Sequence, residues 1–162
     1  MTGMTKWIIT PTPVDHPDSA DVLRTYYTDI VGRSPGREAT EREVDSAMAD
    51  EPSADLAPPT GLFLLARRDG VVAGCVGVRV LEPNIAGLTR MYVHPGVRRE
   101  GGASQLIAAA EDAARGIGAD IMRLDVRSDL VEARALYAGR GYKEVAPFSD
   151  ATYADHWFEK AL

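Results

Sequence analysis

One stretch of the chain, from Val93 to Leu106, limits what it can fold into more than any other. A β-rich run over residues 88–93 stops before Pro95, a short loop with two arginines follows, and two glycines then open an apolar helix. A turn of this kind directs unpaired backbone N–H groups and the positive end of the helix dipole at the space in front of the helix. The pattern therefore predicts a site for a phosphate or a diphosphate.

Two common phosphate-binding motifs do not match this turn. Gly96 and Gly101 have the glycine spacing of a P-loop, but Gly102 and Ala103 stand where its lysine and hydroxyl residue must be. The sequence also contains no Gly-x-Gly-x-x-Gly dinucleotide fingerprint. Two interpretations remain: an Arg-x-x-Gly-x-Ala pattern starting at Arg98, and an ordinary strand–turn–helix with a glycine-rich entry.

The composition excludes several classes of protein. We expect a single domain over residues 1–162, because 162 residues of which 45% are apolar suffice for one core. No apolar run approaches the roughly 20 residues of a membrane span, and no signal peptide is recognisable. Cys75 is the only cysteine, which excludes an internal disulfide and a cysteine-based metal cluster. The net charge of −6, without a basic block, argues against nucleic-acid binding. We therefore expect a cytoplasmic protein with no metal site.

Hydrophobic periodicity predicts the element order β-α-α-β-β-β-α-β-α-β-β. The predicted strands cover about residues 6–10, 62–67, 71–81, 88–93, 121–126, 142–145 and 156–162. The predicted helices cover about residues 19–31, 40–49, 102–117 and 129–141. This is an α/β (α+β) fold with a mixed, mainly antiparallel sheet of about seven strands and helices on both faces.

Local signals add detail to this order. Thr40, with Glu43 three residues later, has the spacing of a capping box at a helix start. Asp129, with Glu132 three residues later, predicts the start of a further helix. Asp69-Gly70 predicts a tight turn, and residues 82–87 predict another. Glu111 is expected on the outer side of its helix, four residues before an arginine. In the strand over residues 121–126, one face carries the apolar residues Met122, Leu124 and Val126, and the opposite face carries Arg123 and Asp125.

Two motifs resemble those of the GCN5-related N-acetyltransferase (GNAT) family. Residues 98–103 (Arg-x-x-Gly-x-Ala) resemble the family signature that grips the pyrophosphate of acetyl-coenzyme A. Residues 133–142 (Ala-x-x-Leu-Tyr-x-x-x-Gly-Tyr) resemble the family's second helical motif, and the order of elements is also that of the family. The resemblance covers about residues 62–142 and implies the acyl-CoA N-acyltransferase (GNAT) fold of a small bacterial-type member.

The resemblance also implies how acetyl-coenzyme A, as co-substrate, would be held. Met91, Tyr92 and Val93 would lie along the pantetheine arm like an added strand, with the Val93 N–H facing the thioester oxygen. The residues around the pyrophosphate would be Arg98, Arg99, Glu100, Gly101, Gly102, Ala103 and Ser104. Tyr137 would lie beside the sulfur as the general acid, because a phenol is protonated at neutral pH.

The implied activity is transfer of an acetyl group to a primary amine of a small molecule or protein, by direct attack in a ternary complex. The expected partners are the coenzyme A thioester and the amine, with no nucleic acid and no membrane. Monomer and homodimer both stay open. The alternative is a catalytically weak acyl-CoA-binding or sensing module on the same fold. Gly87 favours it, because many relatives have a glutamate base there, and so does Leu130, which replaces an asparagine.

The acceptor site and the base are less defined by the sequence. The first two helices, the loop over residues 51–60 and residues 147–156 are expected to shape the acceptor site. Asp150, Asp155 and Glu159 attract a cation in one interpretation and are ordinary surface charges in another. Glu82 is the acid nearest to Gly87, and its position in a turn favours a solvated charge.

Overall fold

A computed structural model describes residues 6–33, 36–151 and 154–162. Seven strands of these residues form one sheet. The strands are β1 (Trp7–Pro11), β2 (Gly61–Arg68), β3 (Val71–Glu82), β4 (Ile85–Val93), β5 (Ile121–Val126), β6 (Lys143–Val145) and β7 (His156–Ala161). Their order across the sheet is β1-β2-β3-β4-β5-β7-β6, and every neighbouring pair is antiparallel except β4 with β5. The prediction of a mixed, mainly antiparallel sheet is confirmed.

Helices cover both faces of this sheet. Within the described residues they are α1 (Pro17–Arg33), α2 (Glu41–Asp50), α3 (Gly102–Gly116) and α4 (Val131–Gly139). α1 packs on one face, where its apolar residues share a core with Phe63 and Tyr92. α3 and α4 pack on the other face, where Leu106 and Tyr137 share a core with Leu124 of β5. None of the described helices is long and apolar enough to cross a membrane.

The strands β2, β3 and β4 form the predicted antiparallel meander. Asp69 and Gly70 both adopt positive φ angles, of 50° and 88°, as a tight hairpin turn between β2 and β3 requires. The next turn is shorter than the predicted residues 82–87. β4 begins at Ile85, and Gly87 pairs with Arg79 of β3 instead of lying in the turn.

The predicted capping box at Thr40 forms. The Glu43 N–H donates to the Thr40 hydroxyl at 3.2 Å, and the Thr40 N–H donates to the Glu43 carboxylate at 3.0 Å. The helix predicted to start at Asp129 begins two residues later, after Leu130, whose side chain makes no capping bond. The Asp129 carboxylate instead accepts two hydrogen bonds from Arg127, at 2.8 and 3.0 Å. A bidentate arginine contact of this kind competes successfully with a helix cap.

The expectation for Glu111 is also wrong. Its side chain is 4% exposed, on the inner side of α3. The Tyr142 hydroxyl donates to the Glu111 carboxylate at 2.9 Å, and Lys160 of β7 donates to the same oxygen at 2.8 Å. A buried carboxylate is tolerated when a cation and a hydroxyl compensate its lost hydration. Spacing within α3 cannot indicate this, because both partners come from later elements.

Candidate active site

The sheet opens between β4 and β5. These two parallel strands pair only through Ile85–Gly87 and Ile121–Arg123. β4 continues to Val93 and β5 continues to Val126, but the two strands are not paired beyond Gly87 and Arg123. The result is a slot in the middle of the sheet, bordered by the free edge of β4.

A bulge in β4 defines this edge. Val76 of β3 lies opposite two residues, Arg90 and Met91, because the register shifts between Gly77 and Cys75. Arg90 adopts a φ of 53°, an uncommon left-handed conformation for an arginine. Its buried side chain donates to the carbonyl of Glu51 at 3.0 Å, so the bulge also fastens the loop after α2 over the sheet. The sequence contains no signal for this bulge.

The backbone of Met91 and Val93 faces the slot. The His94 N–H donates to the Ala73 carbonyl of the β3 side at 2.7 Å. Successive residues of an antiparallel strand direct their hydrogen-bonding groups to opposite sides, so those of Val93 and Met91 point away from β3. The Val93 carbonyl accordingly accepts a hydrogen bond from Arg98 at 2.8 Å. The two predicted residues therefore present backbone groups where an extended ligand can pair with them.

The turn between β4 and α3 leaves a row of backbone donors free. No acceptor among the described residues contacts the N–H groups of residues 99–104. Gly101 caps α3 with a φ of 86°, and Arg99 has a φ of 68°, so two left-handed residues bend the chain before the helix begins. His94 stabilises the start of this turn, where its Nδ1 accepts from the Gly96 N–H at 3.1 Å.

Trp7 of β1 holds the turn in place from behind. Its indole N–H donates to the Glu100 carbonyl at 3.1 Å. Its ring lies so close to Gly102 that a Cβ at this position would overlap the ring. Only glycine therefore allows α3 to begin at this distance from β1. The second glycine of the motif has a packing role that the local sequence does not reveal.

Two charged side chains of the turn, those of Glu100 and Arg98, have defined partners. Glu100 accepts a hydrogen bond from Arg68 of β2 at 2.7 Å. Its negative charge is therefore compensated on the side of the turn away from the slot. Arg98 lies with its guanidinium 5.9 Å from the ring centre of Tyr92 and holds the turn against the end of β4. Arg99 is exposed.

Tyr137 lies under the slot, on the α4 side. Its side chain is 4% exposed, and its ring meets the Tyr142 ring edge to face at 5.8 Å. No hydrogen bond joins its hydroxyl to another described residue. Burial raises the pKa of Tyr137, and the charge of Asp125 raises it further, so the phenol stays protonated well above neutral pH. The group suits proton donation.

Most of the acids considered as cation-binding groups are neutralised by neighbours. Glu159 and Glu82 both contact Arg123, at 2.8 and 3.1 Å. Asp155 accepts hydrogen bonds from the backbone N–H and the hydroxyl of Ser128, at 2.9 and 3.2 Å. The segment over residues 147–156 is described except for residues 152–153. These acids therefore form no free negative cluster at the slot.

Three other polar groups lie on the α1 side of the sheet. Met122, Leu124 and Val126, which were predicted to share one face of β5, are buried under α3 and α4, so Asp125 faces the opposite way and is exposed. Glu51 follows α2 and accepts from the Tyr27 hydroxyl at 2.9 Å. Tyr26 of α1 packs against Tyr92 at 6.4 Å between ring centres. Strand alternation already placed Asp125 on the polar face, but only the fold shows that this face borders the slot.

The sequence of residues 21–142 matches the family model described as Acetyltransferase (GNAT) family. The chain belongs to this family. The slot, the bulged strand and the open helix N-terminus all lie within the matched residues. The expected family and fold are therefore confirmed.

Relatives of known name agree with this assignment. An IAA acetyltransferase from Azospirillum brasilense is 33% identical over 94 residues, which are 57% of this chain and 61% of the relative, so the match spans less than two thirds of that protein. An uncharacterized N-acetyltransferase from Lactobacillus delbrueckii subsp. lactis is 25% identical over 174 residues, with 100% and 99% coverage. The PaiA N-acetyltransferase of Thermoplasma acidophilum, solved in complex with coenzyme A, has a TM-score of 0.75 at 20% identity, with 97% and 99% coverage.

Proposed function

We propose that this protein transfers an acetyl group from acetyl-coenzyme A to a primary amine. One observation carries the proposal: the free edge of β4 at Met91 and Val93 leads directly into the unpaired N–H groups of residues 99–104. Coenzyme A carries both an extended pantetheine arm, which would lie along the strand, and a diphosphate, which would lie at the helix N-terminus. The PaiA structure with coenzyme A, on the same fold, supports this ligand.

The residues of the turn fit a diphosphate. The N–H groups of residues 99–104 donate to its oxygens, and the positive end of the α3 dipole favours its charge. Arg98 adds a permanent positive charge, while Arg68 keeps the carboxylate of Glu100 from opposing the phosphates. Ser104, in the first turn of α3, offers its hydroxyl as a further hydrogen-bond donor. Tyr92, between Met91 and Val93, supports the strand from the buried side.

Acetyl-coenzyme A supplies an activated acyl group, so the protein needs no nucleophile of its own. In a ternary complex, the amine attacks the thioester carbonyl directly, and the chain contributes positioning. The Val93 N–H stabilises the negative charge that develops on the carbonyl oxygen; a donor of this kind lowers such barriers by about 3 kcal/mol. Tyr137 donates its proton to the departing sulfur.

A second candidate function is an acyl-CoA-binding or sensing module with weak catalysis. Gly87 favours it, because this strand position carries no carboxylate and its empty side is filled by Leu81. Leu130 favours it as well, because no polar side chain caps α4 in its place. Both candidates share the coenzyme site and differ only in turnover.

Release of free thiol distinguishes the two functions. The protein is incubated with acetyl-coenzyme A and a panel of primary alkyl and arylalkyl amines, and thiol is followed with a chromogenic disulfide. We expect amine-dependent release above the rate without protein for at least one amine. A higher melting temperature with acetyl-coenzyme A but no release with any amine supports the binding module instead. The absence of both effects contradicts both candidates.

A further inference from the structure

A cavity on the α1 face of the sheet lies apart from the slot. It has a volume of about 170 Å³ and lies between the first half of α1 and the adjoining ends of β3 and β4. Since β3 and β5 lie on opposite sides of β4, a ligand in this cavity would not occupy the slot. One water molecule takes up about 30 Å³ in the liquid, so a molecule of about six non-hydrogen atoms fits this volume.

Two lining residues at the end of β4, His94 and Tyr92, carry free hydrogen-bond donors. Nδ1 of His94 accepts from the Gly96 N–H at 3.1 Å, so the proton of the neutral imidazole is on Nε2. Neither this Nε2–H nor the Tyr92 hydroxyl has a hydrogen-bond partner among the described residues. Tyr92 is only 7% exposed, and burial raises its pKa, so the hydroxyl stays protonated at neutral pH. A buried donor without a partner costs free energy, which the acceptor of a ligand would recover.

The wall of the cavity that α1 forms carries hydrogen-bond acceptors instead. Asp18 accepts from Arg67 at 2.8 Å, so its charge is already compensated. Asp21, about one turn later, has a carboxylate without an ion pair or hydrogen bond in the part of the chain that the structure describes. Thr25 donates its hydroxyl proton to the Asp21 backbone carbonyl at 3.0 Å, which leaves the lone pairs of its oxygen free. A cationic group of a ligand would therefore bind at Asp21.

Three apolar residues, Val22, Val72 and Ala73, complete the lining. They suit a short aliphatic group, because an apolar surface favours an apolar ligand atom over water. A matching ligand thus has a carboxylate for the donors, an ammonium group for Asp21 and a small apolar part. An inorganic anion would be repelled by Asp21, and a simple cation would leave both donors unpaired. A small α-amino acid has all three parts within about six non-hydrogen atoms.

We propose that this cavity binds a small α-amino acid, with its carboxylate at His94 and Tyr92 and its ammonium group at Asp21, and that its binding strengthens the turn between β4 and α3. His94 provides the link, because one ring nitrogen faces the ligand and the other holds the Gly96 N–H. A carboxylate that accepts from the Nε2–H makes Nδ1 a better acceptor, so the bond that stabilises the start of the turn becomes stronger.

This link predicts mutual reinforcement between the amino acid and coenzyme A. Coupling between two binding sites is reciprocal, so each ligand is expected to bind more tightly when the other is present. The amino-acid site itself does not depend on the proposed function. Only its effect on coenzyme binding does.

Titration calorimetry of the full chain with glycine, L-alanine and L-serine tests the site. We expect at least one of them to bind, and propionate and ethylamine, which each keep one of the two charges, to bind about 10-fold more weakly or not at all. Asp21→Asn is expected to weaken amino-acid binding about 10-fold and to leave the affinity for coenzyme A alone unchanged. Asp15→Asn, an exposed acid just before α1, makes the same change of charge outside the cavity and is expected to behave as wild type.

The coupling has two readouts of its own. With the bound amino acid at saturation, the Kd for coenzyme A is expected to fall about 5-fold, and the amide signal of Gly96 in ¹H–¹⁵N spectra is expected to shift downfield. No binding of any of the three amino acids, or equal losses in Asp21→Asn and Asp15→Asn, overturns the site. Binding that leaves both readouts unmoved overturns the link through His94. A failure of coenzyme A to bind contradicts the proposed function instead, and the amino-acid titration still decides the role of the cavity.

Discussion

Replacing Tyr137 with phenylalanine is expected to lower kcat by about 10²-fold while the affinity for coenzyme A stays close to that of the wild type. The hydroxyl lies under the slot with no partner among the described residues, and its raised pKa keeps the proton in place until the sulfur departs. The substitution removes one oxygen from a buried ring whose packing against Tyr142 is unchanged. Steady-state thiol release measures kcat, and titration calorimetry with coenzyme A measures affinity.

Tyr142→Phe is the matched control for this experiment. Tyr142 belongs to the same motif, and its ring contacts Tyr137, but its hydroxyl donates to Glu111 away from the slot. We expect it to lower stability and to leave kcat within a factor of about three, since no proton of the reaction passes through it. An unchanged kcat in Tyr137→Phe, or equal losses in the two variants, contradicts the role of Tyr137 as the acid.

Replacing Lys160 with methionine is expected to lower the free energy of unfolding by about 3 kcal/mol. The substitution leaves the buried carboxylate of Glu111 with the Tyr142 hydroxyl alone, and an uncompensated buried charge typically costs about 3–5 kcal/mol. The lower end applies because the Lys160 side chain is 23% exposed, so water reaches the pair in part. For a chain of this size the melting temperature would drop by about 6–12 °C.

The double variant Glu111→Leu with Lys160→Met separates the charge from the packing. Once both charges are absent, no buried carboxylate remains, and we expect most of the lost stability to return. Urea unfolding of the wild type, the two single variants and the double variant completes the cycle. Additive losses in the double variant would show that the pair contributes through packing alone and would contradict the electrostatic account.

The parts of this protein that could be predicted from its sequence are those encoded locally. The open N-terminus of α3 follows from the two glycines after an arginine-containing turn, because glycine permits both the left-handed cap and the close approach of a ligand. The capping box at Thr40 involves residues only three apart. Alternation in β5 correctly placed Asp125 on the polar face, although it did not show what that face borders.

The parts that could not be predicted depend on residues distant in sequence. Trp7 lies 95 positions before Gly102, so the packing reason for that glycine appears only once β1 and α3 are neighbours. The sequence predicted Glu111 on the outer side of its helix, but Lys160 of β7 and Tyr142, between α4 and β6, both bind its carboxylate. The bulge at Arg90 depends on the loop after α2 that its guanidinium holds. Long-range contacts of this kind override local preference.

The account depends most on coenzyme A filling the slot and the turn together. A crystal structure of the protein grown with excess coenzyme A tests this directly. We expect the diphosphate within hydrogen-bond distance of the N–H groups of residues 99–104 and the pantetheine arm paired with the backbone of Met91 and Val93. A coenzyme bound elsewhere, or a turn that stays empty while the protein is saturated, would contradict the account.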